Sequence, residues 1–408
     1  MKKSQSAVIL GRCHGVACLT LPRMNRYRHA LPSRSWKPKL KNWVYRLTRL
    51  AWRNKVMRAH KLATVDIQNT KYVRDAIDSG AGVLIVPNHS THADPYSMHE
   101  ASDEVGMPFH FMATWHVFDE HNWIQRWVMQ RNGVFSVDRD GTDFEAVKTA
   151  AEILQVRKNP LVIFPEGEVY HCNDIITPFR QGPAAIALIA ASKADRPVVC
   201  VPCAMKYRYT KDPTNELLEL MDRLEKSIHW WPRPEMKLVD RIYALGEGLM
   251  ALKELEYLGE IHQGPLPKRT EFLANTILER QEEREGIDGS GKMVPERVKE
   301  LRKRAIGDPE QTARRGRELE ELFLVVQLYS YPGAYVLQSP KIERIAETLD
   351  KLEEDVLLVK SATPRGERHA TVKFGEPILV PSKRGKDAAK LLTAQMESRV
   401  QALLDEIG

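Results

Sequence analysis

The residues with the most distinctive chemistry are His89 and Asp94, separated by four residues in the segment 88–95. An aspartate this near in sequence can turn back onto the imidazole and hydrogen-bond to one ring nitrogen. The other nitrogen then accepts a proton, as in the histidine–carboxylate part of a catalytic triad. The pair lacks the triad's own nucleophile. It therefore suits the activation of a hydroxyl group that the substrate brings.

Three other interpretations of this segment stay open from the residues alone. It could be a polar turn after a strand, or part of a non-catalytic membrane-binding protein that keeps the fold. His89, His92 and Asp94 could also bind a metal ion in a metal-dependent hydrolase. Their His-x-x-His-x-Asp spacing differs from the His-x-His-x-Asp pattern of such sites, and no later histidine cluster supports it. We therefore expect no metal site.

The elements that must position these side chains are short apolar strands alternating with helices. We predict five such strands, near residues 83–86, 109–113, 133–137, 161–164 and 197–205. Strands that alternate with helices are typical of an α/β fold, with a layered sheet and flanking helices. Ligands of open α/β sheets bind at the carboxyl ends of strands. Polar groups follow several of these ends, namely His89 with Asp94, Arg139, and Glu166 with Gly167; Arg180 follows later.

Four blocks within about residues 80–205 resemble the glycerolipid acyltransferase family, typified by 1-acyl-glycerol-3-phosphate acyltransferases. Residues 88–94 resemble its Asn-His-x4-Asp block, and residues 164–167 its Phe-Pro-Glu-Gly block. Residues 133–139 are similar to its Gly-x-x-Phe-Ile-x-Arg block, with Ser136 where the family usually has Phe. Residues 201–202 match the apolar Val-Pro block.

The resemblance implies that His89 deprotonates an acceptor hydroxyl and that Asp94 orients His89. This chain departs from the family directly after the Phe-Pro-Glu-Gly block. It has Glu168 and Val169 where the family has Thr or Ser followed by Arg. One expected phosphate-binding arginine is thus missing, and Arg180 can compensate. The resemblance implies these substrate-binding residues: Gly133, Arg139, Glu166, Gly167 and Arg180.

The same resemblance implies a reaction and its co-substrates. A fatty acyl group would move from acyl-coenzyme A or an acyl carrier protein to a glycerophosphate hydroxyl, with no further cofactor. The expected acceptor is 1-acyl-glycerol 3-phosphate, which gives phosphatidic acid in phospholipid biosynthesis. Glycerol 3-phosphate is the alternative acceptor.

The N-terminal arm, residues 1–62, carries the basic character of the chain. Residues 1–65 hold 16 Lys and Arg and no acidic residue, whereas the whole 408-residue chain has a net charge of +7. We expect residues 1–35 to be poorly ordered. Residues 41–57 have the pattern of a basic amphipathic helix, which could lie on an anionic membrane or pack on the protein itself. No binding motif supports nucleic acid. No apolar stretch is long enough to span a membrane, so we expect a cytoplasmic protein peripherally associated with it.

The alternation of strands and helices stops after the predicted acyltransferase core, residues 63–210. Residues 211–365 are mainly helical in pattern. Residues 366–408 then return to a strand and a final amphipathic helix, similar to how family members end. We therefore predict that 211–365 is a helical insertion before the last strand of the sheet.

Overall fold

The computed structural model describes residues 34–408 except 142, 308–312, 332 and 384. Most of the segment predicted to be poorly ordered, residues 1–35, lies outside this range. The strands are β1 (Leu62–Gln68), β2 (Gly82–Pro87), β3 (His110–Thr114), β4 (Val134–Val137), β5 (Leu161–Val162), β6 (Val198–Tyr209), β7 (Arg368–Phe374) and β8 (Ile378–Leu379).

The helices before β6 are α1 (Asn42–Ala59), α2 (Lys71–Asp78), α3 (Asp94–Val105), α4 (Trp115–Asp119), α5 (Trp123–Arg131), α6 (Phe144–Val156) and α7 (Gly182–Ala191). Those after β6 are α8 (Thr214–Ser227), α9 (Leu238–Leu258), α10 (Leu266–Glu285), α11 (Val294–Gly307), α12 (Ala313–Tyr329), α13 (Tyr335–Gln338), α14 (Ile342–Leu357) and α15 (Ala388–Ile407).

All the strands belong to one mixed, mostly parallel sheet of order β1-β7-β6-β2-β5-β3-β4. Strands β6, β2, β5, β3 and β4 run parallel to one another. Strand β7 runs antiparallel to β6 and parallel to β1, and β8 pairs antiparallel with β6 on the edge opposite to β2. The predicted α/β fold is confirmed, and the carboxyl ends of the five parallel strands share one edge.

Strand β2 is buried on both faces, as its unbroken apolar sequence predicts. Val83 and Ile85 pack into one hydrophobic core, while Leu84 and Val86 pack into the core on the opposite face. Helix α7 contributes its small and aliphatic residues to the second of these cores. Because both faces are covered, β2 is held firmly where its last residue leads into the turn at His89.

The helices from α8 to α14 lie between β6 and β7, so the predicted helical segment before the last long strand is confirmed. They carry two hydrophobic clusters of their own, one around Leu220 and Leu349 and another around Leu278 and Val325. We call α8–α14 the helical segment. Its first helix follows β6 and its last precedes β7, and those two strands pair directly.

The sequence pattern of residues 115–129 suggests a single helix, but the structure has two. Helix α4 ends at Asp119, and Asn122 starts α5 with a capping box, in which Asn122 and Gln125 each accept from the other's backbone N–H. Asparagine favours this role because its short side chain competes with helical hydrogen bonding. The cap therefore divides an otherwise continuous helical pattern.

Helix α1 packs on the protein through part of its predicted basic face. Arg49 and Arg53 form ion pairs with Glu100 on α3, and Arg49 also pairs with Asp103 at 2.7 Å. The helix leaves Trp43 and Leu50 exposed. Among the helices of the described residues, none is long and apolar enough to cross a membrane.

Candidate active site

His89 and Asp94 meet at the carboxyl end of β2. His89 Nδ1 lies 2.8 Å from Asp94 Oδ2, and the Thr91 backbone N–H donates to the same oxygen at 3.0 Å. The Asp94 side chain is fully buried, whereas the His89 side chain is 16% exposed. An Nδ1–H that donates to the carboxylate leaves Nε2 as the basic nitrogen. We call these two residues the dyad.

The turn that carries the dyad is anchored by two buried side chains. Asn88 Nδ2 donates to the Met205 carbonyl at 2.9 Å, and the Met205 N–H donates to Asn88 Oδ1 at 2.7 Å. Glu166 Oε1 accepts from the His89 N–H at 2.7 Å. The backbone of the histidine is therefore fixed to β6 on one side and to the segment after β5 on the other.

Glu166 is a positioning group for this turn. Its second oxygen accepts from the Thr177 N–H at 3.0 Å. Burial raises the pKa of Glu166 to about 8, although the N–H donors of His89 and Thr177 oppose that rise. The glutamate thus joins two backbone segments while holding little of its charge at neutral pH.

A second group of polar residues surrounds Arg139, in the loop after β4. Arg139 Nη1 contacts the Glu168 carboxylate at 2.9 Å and donates to the Gly167 carbonyl. Arg302 of α11 pairs with Asp140 at 3.4 Å. With Arg180, these side chains line one small cavity. We call the set Arg139, Asp140, Glu168, Arg180 and Arg302 the arginine cluster.

Electrostatics favour an ionised Glu168 within this cluster. Burial alone would raise the Glu168 pKa, but Arg139, Arg180 and Arg302 together bring it below its usual value. The residue that replaces the family's Thr or Ser is therefore a counter-ion to Arg139. Three guanidinium groups face two carboxylates, so the cluster keeps a positive balance.

The segment 164–168 connects the dyad to the arginine cluster. The Phe164 ring stacks on His89 with centroids 4.2 Å apart, while Gly167 and Glu168 contact Arg139. Gly167 has φ +81, and a Cβ there would lie 2.7 Å from Arg180 Nε. Glycine is required at this position because any side chain would displace Arg180.

The structure brings His89, Asp94, Glu166, Gly167, Arg139 and Arg180 to the same end of the sheet. Gly133, which we expected to bind substrate, lies just before β4, at the end of that strand opposite to Arg139. Its φ is +86, and a Cβ there would lie 2.8 Å from the Phe109 carbonyl. This glycine allows a close backbone approach and does not join the cluster.

Several residues that line the cavity of the arginine cluster could not be predicted from the sequence. Arg302 and Lys299 come from α11, and Tyr329 ends α12, so all three belong to the helical segment. Asp140 directly follows Arg139 and offered the one available hint, as a polar residue after a strand end. The others depend on how the helical segment docks.

His92 turns away from the dyad. Its Nε2 lies 3.0 Å from Glu354 Oε1 on α14, whereas Asp94 contacts His89. Of the three residues of the hydrolase interpretation, His89 and Asp94 thus contact each other, while His92 contacts Glu354. In the described part of the chain, the group whose donor atoms could share a metal ion is His92, His171 and Glu354.

Comparisons with known proteins concern mainly the part of the chain from β1 to β6. A family model described as Acyltransferase matches residues 64–206. The solved structure of the 1-acyl-sn-glycerophosphate (LPA) acyltransferase PlsC from Thermotoga maritima is similar at 18% identity, with a TM-score of 0.26. That similarity covers 39% of this chain and 60% of the other, so it spans less than two thirds of the solved protein. A search of curated proteins gives no match.

The matched range starts in β1 and ends in β6, and so contains the dyad, Glu166, Arg139 and Arg180. Residues 64–206 are therefore an acyltransferase domain.

Proposed function

We propose that this enzyme transfers a fatty acyl group from an acyl thioester to a hydroxyl of a glycerophosphate, with His89 as general base. The observation that carries the proposal is the dyad, a half-buried histidine held by a fully buried aspartate at 2.8 Å, beside a cluster of arginines. The proposed acceptor is 1-acyl-glycerol 3-phosphate, and the donor is acyl-coenzyme A or an acyl carrier protein.

The chemistry follows from the free nitrogen of His89. The acceptor hydroxyl gives its proton to Nε2 as its oxygen attacks the thioester carbonyl carbon. The resulting tetrahedral intermediate collapses, the carbon–sulfur bond breaks, and the imidazolium returns the proton to the leaving thiolate. Asp94 stabilises the imidazolium between these steps. General-base catalysis of this kind contributes about 10²–10⁴-fold to the rate.

The arginine cluster supports an anionic acceptor. Arginine binds phosphate through two parallel hydrogen bonds. The cavity that the cluster lines has a volume of about 10 Å³, which is too small for a phosphate group. Binding would therefore require Arg302 on α11 to move and Arg139 to exchange part of its contact with Glu168 for the phosphate.

The experiment is the release of free thiol from palmitoyl-coenzyme A in the presence of 1-acyl-glycerol 3-phosphate. We expect acceptor-dependent release by the wild type and by His262→Gln, a histidine variant in the helical segment. We expect its loss in His89→Gln. Equal release with and without an acceptor would overturn the acyltransferase assignment to this acceptor class. Faster release with glycerol 3-phosphate than with its 1-acyl form would replace the acceptor within that class.

We further propose that an anionic membrane surface contacts α1 and α5. These helices pack on each other, and they expose Trp43 by 61%, Leu50 by 83% and Trp123 by 74%. Exposed tryptophans beside basic residues suit the interface between lipid headgroups and acyl chains. Since Arg49 and Arg53 pair with acidic residues of α3, the apolar side chains would supply much of this binding.

Co-sedimentation with vesicles of phosphatidylglycerol and phosphatidylcholine tests this surface. We expect the wild type to pellet with the vesicles, and Trp43→Ser/Leu50→Ser to lose most of that binding. Leu391→Ser, which removes an exposed leucine of α15, is the matched control. Equal pelleting of all three proteins would exclude α1 as the contact.

A further inference from the structure

A compact group of side chains separate from the arginine cluster includes one residue of the turn that carries the dyad. It consists of His92, His171 and Glu354, and we call it the His92 group. Its donor atoms lie within 4.8 Å of one another. His92 belongs to the turn between β2 and α3, His171 to the segment after β5, and Glu354 to α14. Three distant parts of the chain therefore converge on one point.

The carboxylate of Glu354 lies between the two imidazoles. Its Oε1 is 3.0 Å from His92 Nε2, and its Oε2 is 3.1 Å from His171 Nε2. Oε1 also accepts from the Ala362 N–H at 2.9 Å. Glu354 is thus fixed in position by the backbone as well as by its neighbours, as metal-binding carboxylates commonly are.

His171 is unusual within this group. It is buried, and its φ of 52 places its backbone in the left-handed region, which non-glycine residues seldom adopt. Its Nε2 lies 3.1 Å from the Glu354 carboxylate, but in the part of the chain that the structure describes no contact of this nitrogen meets hydrogen-bond geometry. A cation bound between the imidazole and the carboxylate would give both groups a well-directed partner.

The group opens into a cavity rather than into packed side chains. This cavity has a volume of about 230 Å³, and His92, His171, Asp350, His60 and Arg368 line it. It has room for an ion and several water molecules. The Asp350 carboxylate adds a further acidic group, while Arg365 contacts it from the other side at 3.3 Å.

We propose that the His92 group binds one zinc ion through His92 Nε2, His171 Nε2 and the Glu354 carboxylate, with water as a fourth ligand. Two imidazoles and one carboxylate form a typical zinc donor set when a fourth position stays open to water. Tetrahedral zinc with bonds of about 2.0–2.1 Å separates its ligand atoms by about 3.3 Å. The contacts of 3.0 and 3.1 Å involve different oxygens of Glu354, so zinc binding requires either that both imidazoles approach one oxygen or that the carboxylate binds through both.

The ion would link the catalytic turn to the helical segment. His92 lies between His89 and Asp94 in sequence, and Glu354 lies on the last long helix before β7. Zinc here is distinct from the hydrolase interpretation, because His89 and Asp94 are not ligands. The ion would hold the turn in place and would not take part in the acyl transfer.

The first measurement is the metal content of untagged, full-length protein that was expressed with added zinc and then dialysed. We expect about one zinc per chain in the wild type and in the control His262→Gln. We expect near-complete loss in His92→Gln and Glu354→Gln. His92 is partly exposed, so its variant should fold, and circular dichroism would confirm this. Zinc that is absent from the wild type, or retained by both variants, would overturn the proposal.

Cobalt replacement identifies the ligands without relying on activity. We expect visible absorption bands typical of four-coordinate cobalt in the wild type, without the strong near-ultraviolet band of a thiolate ligand. Loss of these bands in His92→Gln but not in His262→Gln would support the assigned ligands. A thiolate band would contradict them and would point to Cys172, which is next to His171 in sequence.

Discussion

The dyad and the arginine cluster lie at the same end of the sheet, but they are built in different ways. The dyad comes from one turn, with its two residues five positions apart and its backbone held by Asn88 and Glu166. The arginine cluster draws on the loops after β4 and β5 and on α11. Its members are held mainly by ion pairs among long side chains.

The difference matches the two tasks proposed for the site. A short, backbone-anchored turn keeps His89 in one orientation, which its proposed role as general base requires. Ion pairs between long side chains can exchange partners when a charged ligand arrives, because the ligand replaces the counter-charge that each buried arginine loses. We therefore expect changes in the dyad to alter kcat and changes in the arginine cluster to alter the KM of the acceptor.

The largest effects should come from the dyad. We expect His89→Gln and Asp94→Asn each to lower kcat by about 10²–10⁴-fold, with little change in the KM of either substrate. The double variant should be no slower than the His89→Gln variant, because Asp94 acts through the histidine. Initial rates of thiol release measure all three. Independent, multiplicative losses would show that Asp94 has a role of its own.

A smaller effect is expected from Glu168→Gln. The substitution removes the counter-ion of Arg139, so a phosphate group would no longer compete with a carboxylate. We expect the KM of a phosphate acceptor to fall by about threefold to tenfold, with kcat within twofold of the wild type. Glu300→Gln, which changes an exposed acid of α11, serves as the control. A higher KM would show that Glu168 itself recognises the acceptor.

A third effect concerns stability rather than turnover, and its source is Glu166. Its pKa of about 8 in the folded protein exceeds its ordinary value of 4.5, so the folded state keeps a proton that the unfolded chain has released. This group therefore makes the protein less stable as pH rises from about 4.5 to about 8, by at most about 1.4 kcal/mol per pH unit.

Glu166→Gln should remove that pH dependence. At pH 5 we expect the variant to be less stable than the wild type, because an amide oxygen cannot accept from both His89 and Thr177. The difference between the free energies of unfolding of the variant and the wild type should narrow toward pH 8. Urea unfolding at several pH values provides the measurement, with Glu300→Gln again as the control. If the free energies of unfolding of the variant and the wild type change with pH in parallel, Glu166 has the same charge in the folded and the unfolded protein.

The contrast between dyad and cluster also explains what the sequence could reveal. The five parallel strands were predictable because each contains a short apolar run, and the dyad because its residues are neighbours in the chain. Arg139, Glu166 and Arg180 were predicted as substrate-binding residues from the family resemblance and from their positions after strands. The break between α4 and α5 had a local signal as well, in the spacing of Asn122 and Gln125.

Contacts with the helical segment could not be predicted in this way. Arg302 reaches Asp140 across 162 positions, and Glu354 reaches His92 across 262. These contacts depend on how amphipathic helices dock, and helical periodicity shows which face is buried but not against which partner. Gly133 shows the reverse case, in which a motif residue serves the backbone and lies away from the site.

The pairing of β1 with β7 has a consequence for the making of this protein. Leu62 pairs with Arg368, so about 300 further residues must be synthesised before β7, the partner of β1 among the described strands, exists. At a synthesis rate of about 5–20 residues per second, the wait is about 15–60 s. During that time the exposed edge of β6 and the unpaired β1 could join other chains. The turn that carries the dyad is thus synthesised early, but the sheet that supports it is completed only near the end of translation.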